Sequence, residues 1–128
     1  MKKLLFLILA VFSFALEINF ANGVLMPSNL KNRFISYWSF RANKEFYKTY
    51  SFELPYLKYI HPKEEYEDFF ADAPRIKRIS IKNISCKNNI CYIGMVLSIY
   101  KNRVYYKDKW IKVDNVWYHR FKDSALPQ

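Results

Sequence analysis

Cys86 and Cys91 are the most readable pair of reactive side chains in the sequence, separated by Lys87-Asn88-Asn89-Ile90. Asn tolerates positive φ, so Asn88-Asn89 suits a two-residue hairpin turn in which Lys87 pairs with Ile90. The two thiols then face each other on neighbouring strands, where Cα separations of about 4.5–5.5 Å lie inside disulfide reach. Two reduced buried thiols and a redox pair are the alternatives. The C-x4-C spacing differs from the C-x-x-C of thiol oxidoreductases, and no adjacent His would activate either sulfur. The spacing therefore favours a structural disulfide that holds the hairpin register, worth about 2 kcal/mol through the short loop it closes.

The next candidates lie near the C-terminus. A turn at Asp114-Asn115 pairs Lys112 with Trp117, Ile111 with Tyr118 and Trp110 with His119. Trp110, Lys112, Trp117 and His119 thereby form a candidate ligand-binding group in which His119 contacts a ligand or acts as an acid or base. The plainer reading is a hydrogen-bonded sheet histidine. His61, before Pro62, reads as a cap or loop residue. With two His and two Cys in the chain and no H-x-x-x-H arrangement, no metal site is expected. No G-x-S-x-G, P-loop or dinucleotide fingerprint is present, so no cofactor and no catalytic residue is assigned.

The elements that must position these groups change period once along the chain. Leu30, Phe34 and Trp38, with Ile35 on the flank, recur at helical spacing after Ser28-Asn29, predicting a helix to about Ala42. Short helices follow around Phe46, Tyr47 and Tyr50, and after Pro55. Another starts with Pro62 at its first position, ahead of Glu64 and Glu65, and carries Tyr66, Phe69 and Phe70. From Arg75 the period is two, giving strands over 76–86, 90–101, 103–113 and 116–121, joined at 87–89, Lys101-Asn102 and Asp114-Asn115. The expectation is an α+β domain: N-terminal helices packed on a curved four-stranded antiparallel meander.

Alternation divides that sheet into two faces. Ile93, Leu97, Ile99, Val104, Tyr106, Trp110, Trp117 and Phe121 are expected beneath the helices, unless a bulge near 107–109 swaps the Trp110 set. The second face gathers Tyr92, Val96, Tyr100, Tyr105, Ile111 and Tyr118, with Val113 and Val116 beside them. Such a face is too apolar to meet water alone, which makes these residues a candidate interface. Tyr hydroxyls and Lys and Arg stems offer the milder explanation, since they can keep it wet.

Length and composition bound the rest. At 128 residues and 52% apolar, the chain supports one ordered domain rather than two or a disordered segment. Met1-Lys2-Lys3, the uncharged run at 4–14 and Ser13-Phe14-Ala15 have the layout of a secretory signal peptide, cut after Ala15 or alternatively after Ala21. The run rises only about 16 Å as a helix, too short to span a bilayer. Periplasmic or secreted localisation follows, with no transmembrane segment after cleavage. Residues 16–27 would be a flexible lead, 28–122 the domain and 123–128 a tail. Removing Lys2 and Lys3 lowers the net charge from +10 to +8. In that compartment nucleic acid is not the expected partner, whereas anionic envelope ligands are. Codon bias toward Lys, Asn, Ile, Phe and Tyr explains the charge equally well.

The order of Tyr37-Trp38-Ser39-Phe40-Arg41, then 45–55, then Glu65-Tyr66-Glu67-Asp68-Phe69-Phe70, then 110–118 resembles small bacterial envelope proteins of the nuclear-transport-factor-2-like superfamily. Asn115 stands where that pattern usually has Gly. The resemblance implies a cone-like fold and, commonly, homodimerisation through the sheet. Superfamily enzymes place an Asp or a His–Asp pair inside the cone. Here the strand carboxylates are Asp108 and Asp114, the latter in a turn, while Glu45 and Glu53 belong to the helical part, where surface exposure is the default. Because the fold hosts enzymes, binders and interaction modules, it does not decide function. The expectation is a non-enzymatic exported binding or assembly module, self-associating or bound to an envelope partner. The alternative is a small-molecule pocket or enzyme using Trp110, Trp117 and His119 at the cone mouth.

Overall fold

The computed structural model describes residues 16–122; the expected leader at 1–15 and tail at 123–128 lie outside them. The chain runs β1 (Glu17–Phe20), α1 (Ser28–Ala42), α2 (Phe46–Thr49), a 3-10 turn (Tyr50–Phe52), α3 (Pro55–Ile60), α4 (Lys63–Phe69), β2 (Arg78–Lys87), β3 (Ile90–Ile99), β4 (Asn102–Val113) and β5 (Val116–His119). The fold is α+β, with helices packed against a strongly curled half-barrel sheet. Among the described residues no helix is long and apolar enough to cross a membrane.

α1 forms where the apolar spacing predicts, and it buries Leu30, Phe34, Tyr37, Trp38 and Ala42 along one face. Its start differs in detail. Pro27 is the cap residue, and the Asn29 carboxamide accepts the Leu30 N–H at 3.1 Å. Its end is a double reverse hydrogen bond, Lys44 N–H to the Arg41 carbonyl and Glu45 N–H to the Phe40 carbonyl, with Lys44 at φ 63° in the position glycine usually takes. Pro62 likewise caps α4 rather than opening it, with Glu64 and Glu65 in the first turn.

The sheet has five strands in the order β1-β2-β3-β4-β5, not four, and is mixed rather than wholly antiparallel. The added strand, β1, lies within the segment expected to be a flexible lead and pairs in parallel with β2, Glu17 opposite Arg78 and Phe20 opposite Ile81. Ile18 and Phe20 pack against the core. A four-residue strand whose partner lies far along the chain leaves no periodic signal of its own.

The hairpins keep the expected faces but not every expected pair. Cys86 pairs with Cys91 and Lys87 with Ile90 around Asn88 and Asn89, at φ 51° and 65°. Asp114 and Asn115, at φ 49° and 66°, close the last hairpin in the predicted register. The middle turn is Tyr100-Lys101 instead of Lys101-Asn102, with Tyr100 at φ 53° and Ile99 opposite Asn102. That moves the β3–β4 register by two places, an even shift, so no side chain changes face. Val104, expected in the core, is 43% exposed at the sheet end. The pairing of β4 is unbroken through Lys107 and Lys109; the register shift occurs in β2, between Ile81 and Asn83.

Two apolar clusters result. The main one joins α1 to Ile79, Ile81, Ile93, Met95, Trp110 and Trp117 of the sheet. The smaller joins Phe46, Leu57, Tyr66, Phe70 and Phe121 at the helical end. Cys86 and Cys91 are bonded, with Cα atoms 4.1 Å apart. Replacing both by serine is expected to lower stability by about 2 kcal/mol without changing the fold, because the bond closes a very short loop. Urea unfolding with and without reductant checks this: equal midpoints for wild type and variant in oxidising buffer would refute it.

Candidate functional site

His119 is the last residue of β5, opposite Trp110 of β4. Strand alternation turns Asp108 and Trp110 toward the same interior face as His119. The third partner arrives from the helical half. After the 3-10 turn, Glu53 runs extended beside β5 in a parallel bridge to His119, and the Leu54 N–H donates to the His119 carbonyl at 3.1 Å. Backbone pairing thus delivers Glu53 to the histidine.

The side chains then close on one another. His119 Nδ1 lies 2.7 Å from Glu53 Oε1 and Nε2 lies 2.7 Å from Asp108 Oδ1. Trp38 and Trp110 each donate an indole N–H to Asp108 Oδ2 at 2.8 Å. Tyr37 and Tyr66 donate hydroxyls to Glu53 Oε2 at 2.8 and 2.6 Å. Thr49 Oγ1 lies 2.8 Å from the Tyr66 hydroxyl, and Arg41 Nη1 donates to that of Tyr37 at 3.3 Å. The Tyr37 ring stacks on the imidazole with centroids 4.1 Å apart. Glu53 and His119 are both 0% exposed, and Asp108 is 1% exposed.

Electrostatics follow from burial and partners. Burial alone disfavours an imidazolium, but the charges and hydrogen bonds of Glu53 and Asp108 outweigh it and raise His119 to about 9. Burial would raise Asp108, yet His119 and the Trp110 and Trp38 donors hold it below the ordinary carboxylate range. Burial, then the Glu53 charge, push both Tyr37 and Tyr66 well above the usual phenol range. Tyr106 is pushed up to about 12 by burial and then by Asp108. The His119 cation therefore stands between two anions, with the Arg41 guanidinium 4.6 Å from the Trp38 ring as a further positive group.

Of the four candidate ligand residues, the structure places Trp110 and His119 in this cluster. Trp117 is buried across from Lys112, whose ammonium lies 5.8 Å from the indole centre, and among the described residues neither side chain hydrogen-bonds to the cluster. Glu53 corrects the expectation of surface exposure. Its signal was faint: an acidic residue set in the run Phe52-Glu53-Leu54-Pro55. Asp108 was legible in principle, because it shares strand parity with Tyr106 and Trp110. Both histidine nitrogens face carboxylates, and among the described residues no group of three His, Cys, Asp or Glu is arranged to hold a metal.

The outer face carries the candidate interface residues. Tyr100 and Tyr105 are 71% and 64% exposed, Tyr92 is exposed to a lesser degree, and Val96, Ile111 and Tyr118 are half-buried. Tyr105 reaches over Gly94, where a Cβ would come within 2.8 Å of its hydroxyl and 2.5 Å of Asn83 Oδ1. Tyr118 is bracketed by Arg33 and Lys58, 5.6 and 5.8 Å from its ring centre.

Among solved structures, the chain is similar to a Campylobacter jejuni protein described as an NTF2-like transpeptidase, with a TM-score of 0.56 and 12% identity, over 73% of this chain and 99% of that one. No protein-family model and no curated protein matches the sequence. The fold is thus NTF2-like, and at that identity the likeness carries the fold alone.

Because the folded-state pKa of His119 is raised, its contribution is complete below about pH 6.5 and is lost as pH rises through about 9. The amount at stake is about 3 kcal/mol. His119→Gln leaves two buried carboxylates without their cation and is expected to cost about 3–5 kcal/mol at pH 6. Adding Glu53→Gln should recover part of that loss. Urea midpoints of wild type and His119→Gln from pH 6 to 9.5 test this; curves that stay parallel across the range would refute it.

Proposed function

We propose that this chain is an exported, non-enzymatic binding module whose working surface is the outer face of the sheet, and that the face receives an anionic envelope surface. The observation that carries this reading is the contrast between the two sides of the sheet. Inside, the titratable groups of the cone are spent on one another: His119 is shut off from solvent and both its nitrogens are engaged. A general acid or base must reach the proton it moves, and this one reaches only its own carboxylates. The cysteines are bonded to each other, so neither offers a nucleophilic thiol. A ligand at Trp110, Trp117 and His119 would require breaking the cluster open.

Outside, Tyr92, Tyr100 and Tyr105 stand among Arg103, Lys107 and Lys109, all on the outer-facing positions of β3, β4 and the turn between them. Glu17, at the β1 edge of that face, is bound to Arg78. Tyrosines give rigid contact area, and cations give attraction to negative partners. Self-association through Tyr92, Val96, Tyr100, Tyr105, Ile111 and Tyr118 is the competing use of this face. It would bring like charges together, whereas an anionic surface would relieve them.

Export is supported by the leader-like residues 1–15 and by the disulfide, which persists in oxidising compartments. Cleavage after Ala15 leaves β1 whole, whereas cleavage after Ala21 would remove it. Intact mass of protein recovered from the envelope should accordingly correspond to a chain beginning at Leu16.

The docking surface is tested with vesicles. The mature chain should sediment with phosphatidylglycerol vesicles and not with phosphatidylcholine, be released by high salt, and lose at least tenfold in retention in a Tyr100→Ser, Tyr105→Ser variant. Light scattering should report a monomer. A stable dimer that Tyr105→Asp dissociates, with no vesicle retention, would overturn the reading in favour of self-association.

A further inference from the structure

We infer that β4 and the stretch leaving β5 form a binding site for a phosphate-type oxyanion, built around Arg120. The inference rests on the outer-face reading above and names the chemistry of one spot on it. A cavity of about 150 Å³ is lined by Tyr92, Lys107, Lys109, Arg120 and Lys122. Its described lining is four cations and one aromatic ring, without a carboxylate.

The site is held by the same pairing that holds the buried cluster. The Arg120 N–H donates to the Lys109 carbonyl at 2.9 Å, continuing the β4–β5 ladder one residue past β5. With His119 pinned inward, alternation sends Arg120 to the opposite face, beside Lys109. Lys107 and Lys109 hold their ammonium groups 5.3 and 5.4 Å from the Tyr92 ring centre, so two cations share one ring. Lys122, from the segment after β5, also lines the cavity, with its ammonium turned to the ring of the inner-face Tyr106 at 4.6 Å.

Arg120 Nη2 is the independent sign that an acceptor belongs here. Among the described residues it has no hydrogen-bond partner, and it is withdrawn from contact with a water-sized group, so an acceptor in the cavity reaches it once the guanidinium turns toward the opening. A buried guanidinium N–H without an acceptor is costly, and in a ring of cations the natural acceptor is an anion. A guanidinium fork matches two oxygens of a phosphate, and lysines add point charge around it. The hollow has room for a tetrahedral oxyanion. Several cations suit a phosphomonoester, with about −1.5 to −2 charge, better than a single carboxylate. A second cationic hollow, at Lys77, Arg78, Lys101 and Arg103, contains Glu17 as its own counter-ion and lacks this argument.

The test titrates the mature chain with inorganic phosphate and with glycerol phosphate against sodium chloride at matched ionic strength, following amide shifts of Lys109 and Arg120. Both phosphates should bind saturably. Arg120→Gln should weaken them at least tenfold, and Lys109→Met should weaken them by a smaller factor while preserving the melting transition. Tyr100→Ser, Tyr105→Ser should leave them unchanged. Phosphatidic acid vesicles that compete with free phosphate identify a headgroup source; phosphate binding without such competition identifies a soluble ligand, and either supports the site. No saturable phosphate effect beyond chloride, or equal affinity in folded Arg120→Gln, overturns it. Phosphatidylglycerol retention that persists in that case leaves the docking reading standing, whereas phosphate binding without any vesicle retention upholds the site and removes the docking reading.

Discussion

Two carboxylates and an imidazole, all withdrawn from water, are the constraint around which this domain is arranged. Glu53 and Asp108 could not be buried as anions alone, since transferring a charge from water is prohibitive without a partner. The His119 cation between them, 2.7 Å from each, makes burial tolerable, and the Tyr37, Tyr66, Trp38 and Trp110 donors saturate the remaining oxygens. The partners come from α1, the segment after the 3-10 turn, α4, β4 and β5. Losing β4, β5 or the Glu53 segment would strand a charge, and losing α1 or α4 would take a donor from a buried carboxylate oxygen. The cluster therefore specifies how helices and sheet close on each other, whereas the apolar contacts around it supply bulk stabilisation.

The same constraint reaches the other side of the sheet. Residues alternate along a strand, so a histidine locked inward leaves its neighbour no choice but to face outward. Arg120 and Lys109 owe their adjacency to the Trp110–His119 pair beneath them. The Cys86–Cys91 bond acts at the same level of the sheet, because Cys91 pairs with Trp110 on the other side of β3, and it secures the hairpin that begins the meander. Interior charge and exterior charge thus share one register.

Much of the local architecture was legible. α1 followed from Leu30, Phe34 and Trp38; two hairpins followed from Asn88-Asn89 and Asp114-Asn115; the bonded cysteines followed from their spacing. The middle hairpin was misread by one residue because Tyr100 adopts positive φ where Asn102 was the better chemical candidate. Parity survived because the slip was even. β1 was missed because a parallel partner 61 residues away announces nothing locally. Glu53 was misread as a surface residue because an acidic side chain in a helical region ordinarily faces water, and nothing in its neighbourhood names a histidine 66 residues on.

By itself, then, the sequence determined periods, turns and faces, which depend on the steric preferences of each residue and its nearest neighbours. It also put Trp110 and His119 on one face and crowded tyrosines onto the other, while the unbroken pairing of β4 decided that no bulge swaps the Trp110 set. Only the tertiary structure decided that His119 is a buried cation rather than a group at an open mouth, and that Arg120 lines a cavity. The reason is physical. Periodicity assigns a side chain to a face, but the cost of burying a charge depends on which opposite charge packing brings to it, and that partner lies far away in the chain.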